Sequence, residues 1–228
     1  MSGVLAKRAR RTAAAASILT LMVGLVVAIP AAVGEEPASA EWPVDAAQTR
    51  VDYNGRHVAF EGSFADPVLV LGPASRIDYQ QPLTLRAENV TATGFDVIID
   101  EWDYLDGWHG PERVDYLVAE RGHHVLPGGT EVVAGSIETR ATRSAVSVEF
   151  GVELPSVPAV FATVASHRGA DAIVTRVSDV TTTGFKLLLQ EQEANPKWHV
   201  DERIDFIAWE MGTSDPVDPM AWETASVG

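Results

Sequence analysis

The chain writes one phrase twice. Trp108–Gly122 reads WHGPERVDYLVAERG and Trp198–Gly212 reads WHVDERIDFIAWEMG, at an offset of 90 residues. The likeness extends upstream: residues 86–122 align with 176–212 without a gap, and 14 of the 37 pairs are identical. They include Arg86/Arg176, Glu101/Glu191 and the WHxxERxD core, and the turn NVTATGF answers DVTTTGF. Further upstream, FADPVLVLGPAS (64–75) corresponds to LPSVPAVFATVAS (154–166) with one residue inserted. A repeat at fixed period means that the chain folds as two copies of one unit. The expected division is a first unit over 41–138, a second over 139–212, and a Pro-rich acidic tail over 213–228.

Within a unit the hydrophobic pattern has period two. In LTLRAENV, Leu83, Leu85 and Ala87 are apolar while Thr84, Arg86 and Glu88 are polar. In FDVIIDEW, Phe95, Val97 and Ile99 share one face, and Asp96, Ile98, Asp100 and Trp102 share the other. Strict alternation marks half-buried strands, here joined into a hairpin through Thr91–Gly94. Each unit carries at least five such strands and no helical periodicity. The expected fold class is all-β, two tandem antiparallel β-sandwich units.

The N-terminus reads differently. A basic cluster of Lys7, Arg8, Arg10 and Arg11 precedes an apolar run and a small-residue stretch ending at Ala38-Ser39-Ala40. Residues 1–40 therefore read as a secretory signal peptide, which makes the protein secreted. A single membrane anchor is the alternative, since the run is about long enough to span. Without residues 1–40 the chain keeps 13 basic and 30 acidic side chains, a net charge of −17. Such a surface repels phosphate backbones and argues against nucleic acid as a partner. The chain has no cysteine, so disulfides, thiol nucleophiles and thiolate metal sites are excluded.

The hairpin offers a candidate site. With the odd faces turned to the core, Arg86, Asp100 and Trp102 project from the opposite face. An indole beside a guanidinium and a carboxylate suits a pyranose, by stacking and by charged hydrogen bonds. The other reading is an Arg86–Asp100 cross-strand pair, with Trp102 covering a second sheet or the neighbouring unit.

Particular residues also resemble a known family. An arginine nine residues before the Phe of a Thr-Gly-Phe turn, a Trp seven residues after that Phe, a Pro-bearing strand and a last strand closing on Ala208-Trp209-Glu210 are similar to the H-type lectin domain. The resemblance implies a six-stranded antiparallel sandwich that assembles as a homo-oligomer, usually a trimer. It implies binding of galactose or N-acetylgalactosamine at subunit edges, with Arg86 and Trp102 on the sugar and Arg176 in the equivalent place. The second unit departs from the pattern at Gln192, and Trp108-His109 does not align with the family's own Trp-His pair.

For Trp108-His109 and Trp198-His199 two readings stand. They form a second aromatic wall for a glycan, or scaffold in which the Trp caps the sandwich and Glu112-Arg113 pairs across strands. Scaffold is favoured, because both copies keep the phrase although Trp102 is lost in one. The acidic stretch from Asp100 to Asp106 lacks a carboxylate set apart from its neighbours, as a glycosidase would require. Calcium at Asp103 and Asp106 is weighed, but the spacing is not that of an EF-hand. No catalytic or phosphate-binding motif is present, and no cofactor or metal site is called. The expectation is a non-catalytic, secreted carbohydrate-binding protein with glycans or polysaccharide as partners. The alternatives are a structural or cell-adhesion surface module without a working sugar site, and an accessory chain of a polysaccharide-degrading enzyme.

Overall fold

A computed structural model describes residues 44–75, 81–191 and 198–211. The signal-peptide reading of 1–40, Gln192 and the tail over 213–228 lie outside them. Thirteen strands follow one another: β1 (Val44–Val51), β2 (Arg56–Ala59), β3 (Pro67–Ala74), β4 (Leu83–Thr91), β5 (Gly94–Glu101), β6 (Glu112–Glu120), β7 (Gly122–Val125), β8 (Glu131–Thr139), β9 (Val146–Glu149), β10 (Pro158–Val164), β11 (Ile173–Ser178), β12 (Gly184–Glu191) and β13 (Glu202–Glu210). All strand pairs are antiparallel, and no helix occurs among the described residues. The first unit packs sheet β1-β6-β3 on sheet β2-β5-β4. The second packs β10-β13-β8, extended by β7, on β11-β12-β9. Each unit is thus a six-stranded sandwich, and β8 to β13 repeat β1 to β6 in order and pairing. The all-β expectation holds.

The boundary between the units falls earlier than 138/139. Strand β8 pairs with β13 from Val132↔Trp209 to Thr139↔Glu202, so it opens the second unit. The sequence pattern misplaced it because the repeat loses identity upstream of Pro158, where only strand pairing shows which unit owns a segment. The Gly-Gly turn after Val125 does join two strands, β7 and β8.

Alternation places the same residues in both cores. Phe60, Phe95 and Tyr116 meet in the first unit; their equivalents Phe150, Phe185 and Phe206 meet in the second. In each trio the last pair is edge-to-face with ring centroids 5.2 Å apart, a favoured aromatic geometry. The repeated turn is equally literal. Asn89 and Asp179 take φ of 52° and 51°, a left-handed conformation these residue types tolerate. Thr91 and Thr181 then donate to the carbonyls of Gly94 and Gly184. A Cβ on Gly94 would sit 2.4 Å from the Val58 carbonyl, and one on Gly184 2.3 Å from that of Val148. The TGF glycine is there for close strand approach.

The two sandwiches belong to one compact unit. The outer face of β1-β6-β3 meets the outer face of the β13 sheet through Val68, Val70 and Ala119 on one side and Val132, Ala134 and Ile207 on the other. This contact explains why β13 is buried on both faces over Ile204–Ala208, although an exposed sheet would alternate. Polar groups finish the joint. Strand β3 is a sheet edge, and two of its outward amides are capped by the second unit: Leu69 N donates to Asp205 Oδ2 at 2.9 Å, and Leu71 N to Thr163 Oγ1 at 2.8 Å. Arg203 orders Asp205 at 2.7 Å and donates to the Pro67 carbonyl at 2.7 Å. Covering an edge in this way removes a template for unwanted pairing.

Candidate functional site

Arg86 lies on the even face of β4, as the alternation requires, but that face is not open to solvent. Its side chain is 0% exposed, enclosed by the second unit. Nη2 donates to Glu202 Oε1 at 2.6 Å, and Nη1 to Asp100 Oδ2 at 3.1 Å. Nη1 also reaches the carbonyls of Gly169 and Asp171, both at 3.1 Å, while Nε and Nη2 share the Ser166 carbonyl at 3.3 Å. Every nitrogen of the guanidinium is engaged. The planar fork explains why arginine rather than lysine occupies the position.

Glu202 is the receptor's centre. It accepts from Arg86, from the Ser166 hydroxyl, from the amides of Arg168 and Gly169, and from His199 Nε2 at 3.1 Å. His199 Nδ1 meets Glu191 Oε1 at 3.1 Å, so the ring bridges two carboxylates. Burial alone would depress the His199 pKa, but the bonds to Glu202 and Glu191 outweigh it and the pKa is raised. Burial would lift Glu202, yet His199, Ser166, Gly169 and Arg86 hold it down to about 2. Asp100 is lifted by burial against the pull of Arg86. Gly169 has no room for a side chain: a Cβ there would lie 2.6 Å from the His199 ring.

The sugar site expected from Arg86 and Trp102 is therefore corrected. The strands do pair in the expected register, Arg86 opposite Ile98 with Asp100 a diagonal neighbour, and the Arg86–Asp100 ion pair forms. The second unit then covers them, which leaves no guanidinium for a pyranose. Trp102 lines a cleft of about 350 Å³ with Tyr53, Asp100, Asp103, Leu105, Asp106 and His109, and Arg86 is not among its lining. The scaffold reading of Trp-His also needs correction. Trp108 and Trp198 are 52% and 72% exposed and cap nothing. Trp108 lies 6.3 Å from Tyr53, and the Arg143 guanidinium stands 5.8 Å over Trp198. It is His109, Glu112, His199 and Glu202 that are buried. Glu112 accepts from Ser75 Oγ at 2.6 Å instead of pairing with Arg113.

Sequence reasoning missed Glu202, Ser166 and Asp205. The signal was present, since Glu112/Glu202 and Ser75/Ser166 are identical across the repeat, but identity alone does not show burial.

The first unit carries the same receptor in another state. Ser75, Glu101, His109 and Glu112 stand where Ser166, Glu191, His199 and Glu202 stand in the second, and the Arg113 amide binds Ser75 Oγ as Arg203's binds Ser166 Oγ. His109, however, turns Nδ1 to the Gly110 carbonyl at 2.9 Å. His109 Nε2 and Glu101 Oε1 are buried without a hydrogen-bond partner among the described residues. A cleft of about 670 Å³ opens over this receptor, lined by Ser75, His109 and Glu112 from the first unit and by Ile173 and Thr175 from the second. The donor repeats as well. Arg176 is exposed and has no hydrogen bond or ion pair among the described residues.

Metal-type ligand atoms gather, among the described residues, at Asp171, Glu191 and His199, within 4.8 Å of one another. Both His199 nitrogens are already bonded there. Near Asp103, the carboxylate of Asp106 accepts from the Trp108 amide at 3.1 Å and Glu101 from the Gly107 amide at 3.1 Å, which shapes the loop.

The fold and junction define a tandem, two-unit β-sandwich protein. Over 170 residues, 70% of the chain, it is 29% identical to Halomucin of Haloquadratum walsbyi (strain DSM 16790 / HBSQ001). That stretch spans 2% of the length of Halomucin. No family model matches the chain, and no solved structure matches it significantly.

Proposed function

We propose that the protein is an extracellular, non-catalytic adhesive module, built as two H-type-lectin-like sandwiches held in fixed relation. The observation that carries this reading is the burial of Arg86. The residue best suited to grip a sugar is spent on joining the units, in a network that no free sugar reaches. The six-stranded antiparallel pattern of each unit supports the H-type-lectin resemblance as fold. The likeness to a protein named as a mucin supports a place outside the cell, as does the basic and apolar leader. The acidic surface suits a partner other than nucleic acid.

A second reading rests on a separate observation. Tyr53 and Trp108 stand exposed beside the acidic cleft that holds Trp102, and aromatic rings next to carboxylates suit a glycan. A glycan array with the wild type, Arg86→Ala and Trp108→Ala separates the two. The adhesive reading expects no galactose-type ligand whose binding depends on Arg86 in a folded protein. A hit abolished by Trp108→Ala would place a sugar at the cleft. A hit abolished by Arg86→Ala with unchanged melting would overturn the leading reading.

A further inference from the structure

Two buried side-chain atoms lack a hydrogen-bond partner among the described residues, Glu101 Oε1 and His109 Nε2. Both residues line the cleft of about 350 Å³ beside Trp102. A buried polar atom is costly unless something pairs with it, and two in one cleft call for one explanation. Both atoms are acceptors. His109 Nδ1 stands 2.9 Å from the Gly110 carbonyl, which can only accept, so Nδ1 carries the ring proton. In the neutral ring Nε2 is then a lone pair. Glu101 Oε2 accepts from the Gly107 amide at 3.1 Å, which leaves Oε1 as a second lone pair. Two acceptors cannot satisfy each other. A cation between them satisfies both.

The setting of His109 is that of a metal ligand. A histidine that binds metal through one nitrogen donates the other N–H to a backbone carbonyl or a carboxylate, which fixes its tautomer and orientation. His109 does this with Gly110, is 2% exposed, and is pinned further by the Tyr53 amide, which donates to its carbonyl at 3.2 Å. Burial and the charge of Asp106, which lines the same cleft, lift the Glu101 pKa against the pull of the Gly107 amide and His109. A cation at Oε1 relieves both. Calcium and magnesium take oxygen ligands, so a nitrogen beside a carboxylate selects a first-row transition ion of the zinc type. The second unit is the built-in control. Its equivalents Glu191 and His199 meet directly at 3.1 Å, and His199 Nε2 bonds Glu202 beside Arg86. Ligand atoms of Asp171, Glu191 and His199 do gather there within 4.8 Å, but both ring nitrogens are taken and the guanidinium supplies the positive charge. The same pair is closed on itself in the second unit and open in the first.

We propose that Glu101 Oε1 and His109 Nε2 bind a divalent transition cation of the zinc type, with Asp106 on the cleft side and water completing its shell. Glu101 ends β5 and His109 precedes β6, so the two ligands flank the loop that carries Trp102 and the exposed Trp108. The ion ties the two ends of that loop together. In a chain without cysteine it does there what a disulfide does elsewhere. The site stands apart from the Arg86 joint and does not depend on the adhesive reading.

Zinc titrated into the protein by calorimetry, with magnesium in excess to occupy scattered surface carboxylates, tests it. The expected result is one zinc per chain. Nitrogen-15 spectra of the imidazole rings identify the ligand on the wild type itself, and the resonance that moves is His109 Nε2. Glu101→Gln and His109→Gln each weaken zinc binding by at least about 10- to 100-fold, the loss that supporting groups alone produce. His57→Gln and His123→Gln, in the exposed pairs His57–Asp96 and His123–Glu131, leave it unchanged. Circular dichroism of each variant without zinc separates lost binding from lost fold. A wild type that binds no zinc overturns the proposal. So does a zinc that moves the ring of His57, His123 or His199 instead, or one whose affinity survives Glu101→Gln in a folded protein.

Discussion

Arg86 and Arg176 are the same residue in the repeat and have opposite surroundings. Removing Arg86 leaves the Glu202 and Asp100 carboxylates buried without their cation, a defect that costs about 3–5 kcal/mol. Arg176→Ala touches no described partner, so the single chain should change by less than about 0.5 kcal/mol. Urea unfolding at low protein concentration checks the contrast; equal effects at the two positions would contradict it. The same network sets a pH window. His199 has a raised pKa in the folded protein, so its contribution is full below its ordinary value of 6.5 and is lost as pH rises through the raised value. Glu202 is lowered from 4.5 to about 2, so its contribution is present above 4.5 and is lost as pH falls toward 2. The joint is strongest between these limits. Melting temperature should decline on both sides, and His199→Gln should remove the alkaline decline and shrink the acid one, since His199 is among the groups that hold Glu202 down.

At the scale of elements, much was legible and the reasons for the rest are physical. Period-two alternation named the core faces of β4 and β5 correctly, because an apolar odd face in each strand has only one place to go. The repeated TGF turn marked the β4–β5 and β11–β12 hairpins. What alternation does not reveal is which polar face a second sandwich will cover. Arg86 reads the same whether it meets solvent or Glu202, so the open sugar site was a reasonable but incorrect placement. Strand β8 was assigned to the wrong unit because its sequence no longer resembles β1, although its pairing does. The turn glycines offer a test of the equivalence. Gly94→Ala and Gly184→Ala each force a Cβ into a carbonyl, and overpacking of this kind costs about 1–3 kcal/mol. Both variants should melt lower by similar amounts. A large loss at one and none at the other would mean that the two hairpins are not built alike.

For the whole molecule, the acidic surface and the joint act against each other. A net charge of −17 over residues 41–228 repels itself in the compact state, and salt screens that repulsion within about 10 Å at 0.1 M. Melting temperature should therefore rise as sodium chloride is added, and the buried Arg86 network, shielded from ions, should not be what salt weakens. Arg86 holds the two sandwiches together through Glu202 of the second unit. A double-mutant cycle on Arg86→Ala and Glu202→Gln, read by urea unfolding of the single chain, measures that coupling directly. The prediction is two destabilised single variants and a double variant well short of their sum, with a coupling of about 2–3 kcal/mol. Additivity within about 0.5 kcal/mol, with Arg86→Ala as stable as the wild type, would show that Arg86 faces solvent and would return it to the role of a ligand-binding residue.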